Sequence, residues 1–335
     1  ETTKGGDILL GAATVGMDNS TVGATIGDVS LTANDDVYTV NNTAPDTFVS
    51  PDVTFVGLTS LGGQPISIGA RQIDVPVDVS PNGSGNPSVA GTIGDVSMTV
   101  GTGTAKLTGN FVNLGAVTID TGTYTDADTS TDSGNQPATY GGKIVLGNEN
   151  HDNATADFSA DVDESTLNIA GTYGASTFTV QENGTITGSV FVAGNGGNDW
   201  TLTSARGAID VGFVAGFDAD GSNKTDADEV GQIGNITASS SVNADVYIGV
   251  GGTAGTSSIG NVTVSTGDVV DAKAGKVDEF YSGKTTIVGL STAGKGTVGN
   301  LMSTVKTGVA TLKGSFGNIR SEEHTSELQS HLCIS

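Results

Sequence analysis

The sequence predicts an all-β chain wound as a parallel β-helix (β-solenoid) with irregular coils, and three observations predict it. The first is composition. Thr and Val, which favour strands, and Gly, Asn and Asp, which favour turns, dominate the chain, while the helix formers Leu, Glu, Lys and Gln are scarce. There are 51 Gly but only 10 Phe, 6 Tyr and 1 Trp in 335 residues, and charged residues make up 15%, fewer aromatics than a globular enzyme core normally holds. The second is a recurring aliphatic-Gly-Asn/Asp-aliphatic motif. The third is the strict polar/apolar alternation that follows many of its copies, the signature of a half-buried strand.

The copies run T-I-G-D-V at 25–29, T-I-G-D-V at 92–96, Q-I-G-N-I at 232–236, S-I-G-N-V at 258–262, T-V-G-N-L at 297–301 and S-F-G-N-I at 315–319. Looser copies lie at 111–120 and 165–171. The late copies start 26, 39 and 18 residues apart, and the earlier gaps of 67 and 140 leave room for degenerate ones. A step of roughly 18–26 residues suits one coil of a solenoid. Ile26 with Val29, and Ile259 with Val262, are expected to point inward at a corner. The glycine between them permits φ > 0, and the Asn or Asp can bond its own backbone or stack on its equivalent in the next coil. The alternative reading is a set of tandem β-sandwich domains that share a turn sequence.

Four regions follow. Residues 1–33 form the first coils. Residues 34–90, with six of the seven prolines (Pro45, Pro51, Pro65, Pro76, Pro81, Pro87), form an insertion or small β module. Residues 91–319 carry the solenoid repeats, with a protruding polar loop at 122–140. Residues 320–335 do not read as native protein. Residues 320–330, R-S-E-E-H-T-S-E-L-Q-S, match letter for letter the translation of a common short-read sequencing adapter, so the native chain is expected to be cut near Ile319. Excluding them removes Cys333, His324 and His331. It leaves 12 Lys+Arg against 34 Asp+Glu, or −22, compared with −24 for the whole chain.

This acidity speaks against nucleic acid and against anionic membranes, both of which need basic patches. It fits a well-solvated extracellular protein. No stretch approaches the ~20 apolar residues of a membrane helix. Without native cysteine there is no disulfide framework.

The sharpest local motif is F-D-A-D-G-S-N-K-T-D-A-D-E at 217–229. Asp218, Asp220, Ser222, Asp226 and Glu229 fall at positions 1, 3, 5, 9 and 12 of a calcium-loop template, where hard oxygen ligands wrap one Ca²⁺. The loop resembles EF-hand and dockerin loops, although Asn223 stands where those loops carry Gly. The role implied is structural, pinning an acidic loop; the plainer reading is a solvated turn. Asp126, Asp128 and Asp132, and Asp157, Asp161, Asp163 and Glu164, read as solvated acidic faces rather than paired carboxylates for glycoside hydrolysis. His151 has no native second histidine with which to build a zinc or triad site. Trp200 fits two roles, a sugar-stacking platform or a core cap. Sequons stand at Asn19, Asn41, Asn82, Asn153, Asn183, Asn223, Asn235 and Asn261.

This motif style resembles the Gly/Thr/Asn-rich strand-repeat surface proteins of microbes: autotransporter passengers, filamentous-haemagglutinin-like adhesins and surface-layer proteins. The resemblance implies an extracellular structural or adhesive module without catalytic activity, partnered by cell-surface glycans or neighbouring surface proteins. Two other functions are weighed against it. A carbohydrate-active β-helix enzyme of the lyase or glycosidase type would need Arg or Lys in its cleft for polyuronates, and the native region has just two arginines, Arg71 and Arg206, within a strongly negative chain. An ice-binding protein would need an ordered Thr face. The T-x-T triplets at 102–104, 121–123, 177–179 and 201–203 are spaced 19, 56 and 24 residues apart, which reads as too irregular for one array.

Overall fold

The computed structural model describes residues 2–15, 25–38, 47–60, 66–68, 71–73, 92–111, 113–125, 139–147, 167–169, 171–192, 194, 196–216, 231–241, 244–252, 257–271, 279–291 and 297–315. Among them the chain is all-β, and two long parallel sheets form its body. The first sheet has nine strands: Thr2–Lys4, Val29–Asn34, Val96–Val100, Val117–Thr121, Ser176–Val180, Trp200–Ser204, Ile236–Ser240, Val262–Thr266 and Leu301–Val305. The second has ten. Nine follow one another as Ile8–Val15, Val53–Ser60, Thr104–Phe111, Lys143–Leu146, Thr185–Val192, Ile209–Ala215, Val246–Gly252, Lys284–Ser291 and Val309–Ser315. The tenth, Leu167–Ile169, continues the Lys143–Leu146 row between Thr104–Phe111 and Thr185–Val192.

The chain alternates between the two sheets, so each circuit lays one strand on each and the next circuit stacks beside it. This is a parallel β-helix. Parallel pairing throughout both long sheets excludes the tandem-sandwich alternative, whose strands would pair antiparallel. Two-residue strands add a third side. Thr25–Ile26, Thr92–Ile93 and Asn113–Leu114 form one ladder, Gln232–Ile233, Ser258–Ile259 and Thr297–Val298 another.

Alternation puts every second side chain inside. One inward column of the first sheet runs Val29, Val96, Val117, Ser176, Trp200, Ile236, Val262, Leu301. The next runs Leu31, Met98, Ile119, Phe178, Leu202, Ala238, Val264, Ser303. Most of these are fully buried. At mid-rod the scarce aromatics gather. Trp200 stacks on Phe178 with centroids 5.6 Å apart, and Tyr173 and Phe213 each lie 5.4 Å from it. Trp200 is 1% exposed, so the sugar-platform role is corrected: it fills the core.

The insertions explain the uneven repeat spacing. Antiparallel hairpins Asp36–Tyr38/Thr47–Val49, Thr123–Thr125/Thr139–Gly141 and Asp268–Asp271/Glu279–Ser282 all leave the coil between a first-sheet strand and the second-sheet strand that follows it. A fourth, Ile66–Ile68/Arg71–Ile73, follows the second-sheet strand Val53–Ser60. The coil thus resumes in register after each excursion. The 34–90 region is not one insertion, because Val53–Ser60 is a solenoid strand flanked by Ile8–Val15 and Thr104–Phe111. Likewise the loose copy at 165–171 supplies a second-sheet strand, not a corner.

Candidate binding face

Each circuit turns a corner at the Gly-Asn/Asp motif, and that corner sets the register of everything beside it. The backbone N–H of Asp95 donates to Asp28 Oδ1 (3.1 Å), and that of Ala116 to Asp95 Oδ1 (2.8 Å). Further along, Asn235 N–H donates to Asp199 Oδ1 (2.8 Å), Asn261 N–H to Asn235 Oδ1 (2.9 Å) and Asn300 N–H to Asn261 Oδ1 (2.9 Å). Where Asn or Asp stands at a corner, its side-chain oxygen therefore clips that corner to a backbone N–H of the next coil, rather than to its own backbone. Ala116 and Ala175 occupy the same position and leave the ladder open there.

The corner glycines need correcting. None of Gly94, Gly115, Gly174, Gly234, Gly260 and Gly299 has positive φ. Glycine stands there because stacked corners approach too closely for a Cβ. At Gly260 it would lie 2.8 Å from the Gly234 carbonyl carbon, and at Gly299 2.9 Å from the Gly260 carbonyl carbon. Gly27, at the first corner of the column, has nothing within 4 Å.

Beyond each corner runs a first-sheet strand whose outward side chains face solvent. From Val29–Asn34 to Leu301–Val305, eight strands present two outward columns. One is Ser30, Ser97, Thr118, Thr177, Thr201, Thr237, Thr263, Met302. The other is Thr32, Thr99, Asp120, Thr179, Thr203, Ser239, Ser265, Thr304. Ten of these sixteen are Thr and four are Ser. All are exposed or half-exposed. Thr177–Thr179 and Thr201–Thr203, 24 residues apart in sequence, are direct neighbours on this face. The triplets at 102–104 and 121–123 lie off this face, with Thr121 buried.

The same geometry accounts for two sequons. Asn235-Ile-Thr and Asn261-Val-Thr each combine a corner Asn with the outward Thr two residues later. Asn235 and Asn261 Oδ1 are engaged in the corner ladder.

At the third side Tyr173, 3% exposed, donates its hydroxyl to the Asn198 carbonyl (2.9 Å) and accepts from Gly234 N–H (3.3 Å). Burial raises its pKa above the usual 10.0, since a buried phenolate loses its hydration. This ring pins the corner of one coil to the next two.

The calcium-loop residues Asp218, Asp220, Ser222, Asp226 and Glu229 lie outside the described residues, as do His151, the 126–132 and 157–164 acidic runs and residues 316–335. Among the described residues, no three His, Cys, Asp or Glu side chains converge as a metal set, and no helix is long and apolar enough to cross a membrane. Arg206 sits in an exposed turn, its Nε 3.3 Å from Glu182 Oε2. No protein-family model, curated protein or solved structure matches the chain.

Proposed function

We propose that the chain is an extracellular, non-catalytic module of a microbial surface protein, acting as a stiff structural or adhesive rod. The observation that carries this reading is the pair of continuous parallel sheets, clipped coil to coil by corner side chains, with one long side left open. In such a stack each coil touches only its neighbours, so stability and stiffness build up along one axis. The formal charge of −24 keeps such rods soluble and apart. The partners that fit are cell-surface glycans and neighbouring surface proteins. A Ca²⁺ held by Asp218, Asp220, Ser222, Asp226 and Glu229 would neutralise the acidic loop at 217–229 and stiffen the rod.

Beads coated with the chain, drawn under flow across immobilised microbial cells or their glycans, test the adhesive role. Retention above albumin-coated beads, with no sugar released, is expected. Released oligosaccharide would favour the enzyme reading instead. Calcium is tested separately by thermal melts followed by circular dichroism. Micromolar to millimolar Ca²⁺ is expected to raise the melting temperature, and the Asp218→Ala/Asp220→Ala variant to lose that rise. An unchanged melt removes calcium from the account.

A further inference from the structure

We propose that the outer Ser/Thr face of the first sheet binds ice, a solid this module adheres to in addition to glycans or surface proteins met by its other sides. The adhesive reading above gives the proposal its setting; its chemistry rests on the face itself.

The face is an array, not a stripe of chance composition. Hydrogen-bond register fixes eight strands in sequence, at the ~4.8 Å spacing of neighbouring strands, with two outward positions ~6.6 Å apart on each. Fourteen of sixteen positions are Ser or Thr. Across four successive strands, Thr177, Thr179, Thr201, Thr203, Thr237, Ser239, Thr263 and Ser265 leave no gap.

The second sheet gives the contrast. It belongs to the same chain and pairs in the same parallel way, although its strands are less regular and several of its outer positions, Val56, Thr108 and Val145 among them, are buried. Two of its outward columns run Leu9, Thr54, Lys106, Val145, Thr187, Asp210, Tyr247, Thr286, Thr311 and Gly11, Val56, Thr108, Gly147, Ser189, Gly212, Gly249, Val288, Lys313. Only six of those eighteen are Ser or Thr, and they form no rank. Strand propensity alone therefore does not make the Thr face.

The side chains choose the occupant. Protein partners are anchored by Tyr, Trp and Arg, and Ser is depleted at such interfaces. Small organic ligands, sugars among them, are held in concave sites lined mainly by apolar and aromatic side chains with a few fixed polar groups. None of the sixteen is aromatic, amide or cationic, and Asp120 is the only acid, too few for an ionic mineral. What remains is a rank of methyl and hydroxyl groups, held in few rotamers because Thr is branched at Cβ. Liquid water competes for each hydroxyl on equal terms, so a single Thr gains almost nothing. A solid whose water molecules are already ordered meets the whole rank at once, and many weak contacts add as one multivalent event.

Slow freezing of a dilute solution of the chain onto a seeded ice surface, with assay of the ice and liquid fractions, tests this. The chain is expected to concentrate in the ice, and thermal hysteresis is expected in the same solution. T201Y/T203Y should lower the ice-to-liquid ratio more than about tenfold with an unchanged β spectrum. T286Y, on the second sheet, should leave the ratio as it is. If T201Y/T203Y melts early, T237K/T263K repeats the test on the two coils that follow.

A folded chain that stays in the liquid like albumin overturns the proposal, as does equal partition of both face variants. Binding to insoluble cellulose or chitin that T201Y/T203Y abolishes, without ice partition, also overturns it and gives the face to a polysaccharide. Retention of coated beads on cells without ice partition sinks the ice proposal and leaves the adhesive reading standing.

Discussion

The two long sheets are cut from one chain by the same circuit, yet they are built to different standards. From Val96–Val100 to Leu301–Val305 the first-sheet strands are uniformly five residues long, their inner positions almost all buried and their outer ones open and nearly all Ser or Thr. The second carries strands of three to eight residues. Gly109 and Gly188 in it adopt φ of +121° and +131°, and the Lys143–Leu146 row resumes only at Leu167. Its outer positions mix Lys, Val, Asp, Tyr and Gly, and Val56, Thr108 and Val145 among them are buried. Among the described residues three hairpin insertions leave where the chain passes from the first sheet to the second, a fourth follows a second-sheet strand, and none interrupts a first-sheet strand. The difference shows where regularity is kept: a solenoid needs a packed interior on both sides, but an ordered outer face on only one.

The core shared by both sheets gives the largest expected effect. Trp200→Ala empties the space between Phe178, Tyr173 and Phe213, and a loss of about 3–5 kcal/mol is expected from chemical denaturation. A loss under about 1 kcal/mol would mean the aromatic cluster is not packed as described.

A second contrast lies within the corner column. Gly260→Ala drives a Cβ to 2.8 Å from the Gly234 carbonyl carbon, while Gly27→Ala meets nothing within 4 Å. Gly260→Ala should cost about 1–3 kcal/mol through overpacking, and Gly27→Ala close to none. Equal melting temperatures for the two would contradict stacking as the reason for glycine there.

The clips themselves come next. Asn261→Ala removes the acceptor for Asn300 N–H, and a loss of about 1 kcal/mol is expected by thermal melt. Ala116→Asn, at a gap in the ladder, should recover part of that amount. A neutral Asn261→Ala would show that the ladder follows the corner rather than holding it.

The smallest effect is alkaline. Because the folded Tyr173 pKa lies above 10.0, the phenol stays protonated in the folded chain where the unfolded chain has lost the proton. Its contribution is complete below pH 10.0 and is lost as pH rises from there through the folded value. Tyr173→Phe should flatten that part of the stability–pH curve, and an unaltered slope would place the ring in solvent.

Much of this was legible in the sequence. The T-I-G-D-V and x-I-G-N-x copies mark true corners, because inward aliphatic, close-packed Gly and clipping Asn/Asp are local demands of one bend. Ile259 and Val262 are buried as the pattern predicts. Corners that lack the full set escaped notice. T-Y-G-A-S at 172–176 replaces the clip with Ala and the aliphatic with Tyr, and G-N-D-W at 197–200 puts Trp in the inward place. The Thr face was legible only in part: the T-x-T triplets at 177–179 and 201–203 belong to it, but their spacing to the other triplets reads as too irregular for one array. Its members are neighbours only through hydrogen-bond register, and insertions that leave and rejoin the coil erase any fixed sequence period. Thr118 and Thr177 are paired across 59 residues. Strand-length polar/apolar alternation, scanned without a fixed period, would have found them.

That pairing is where the account is most exposed. With Cys333 replaced by serine, nitroxide labels on Thr118→Cys and Thr177→Cys report the contact in one continuous-wave spin-resonance spectrum. Strong dipolar broadening in the double-labelled chain, absent from either single label, is the predicted result. Two superimposed single-label spectra would mean the coils do not stack in this register, and the ordered face would fall with it.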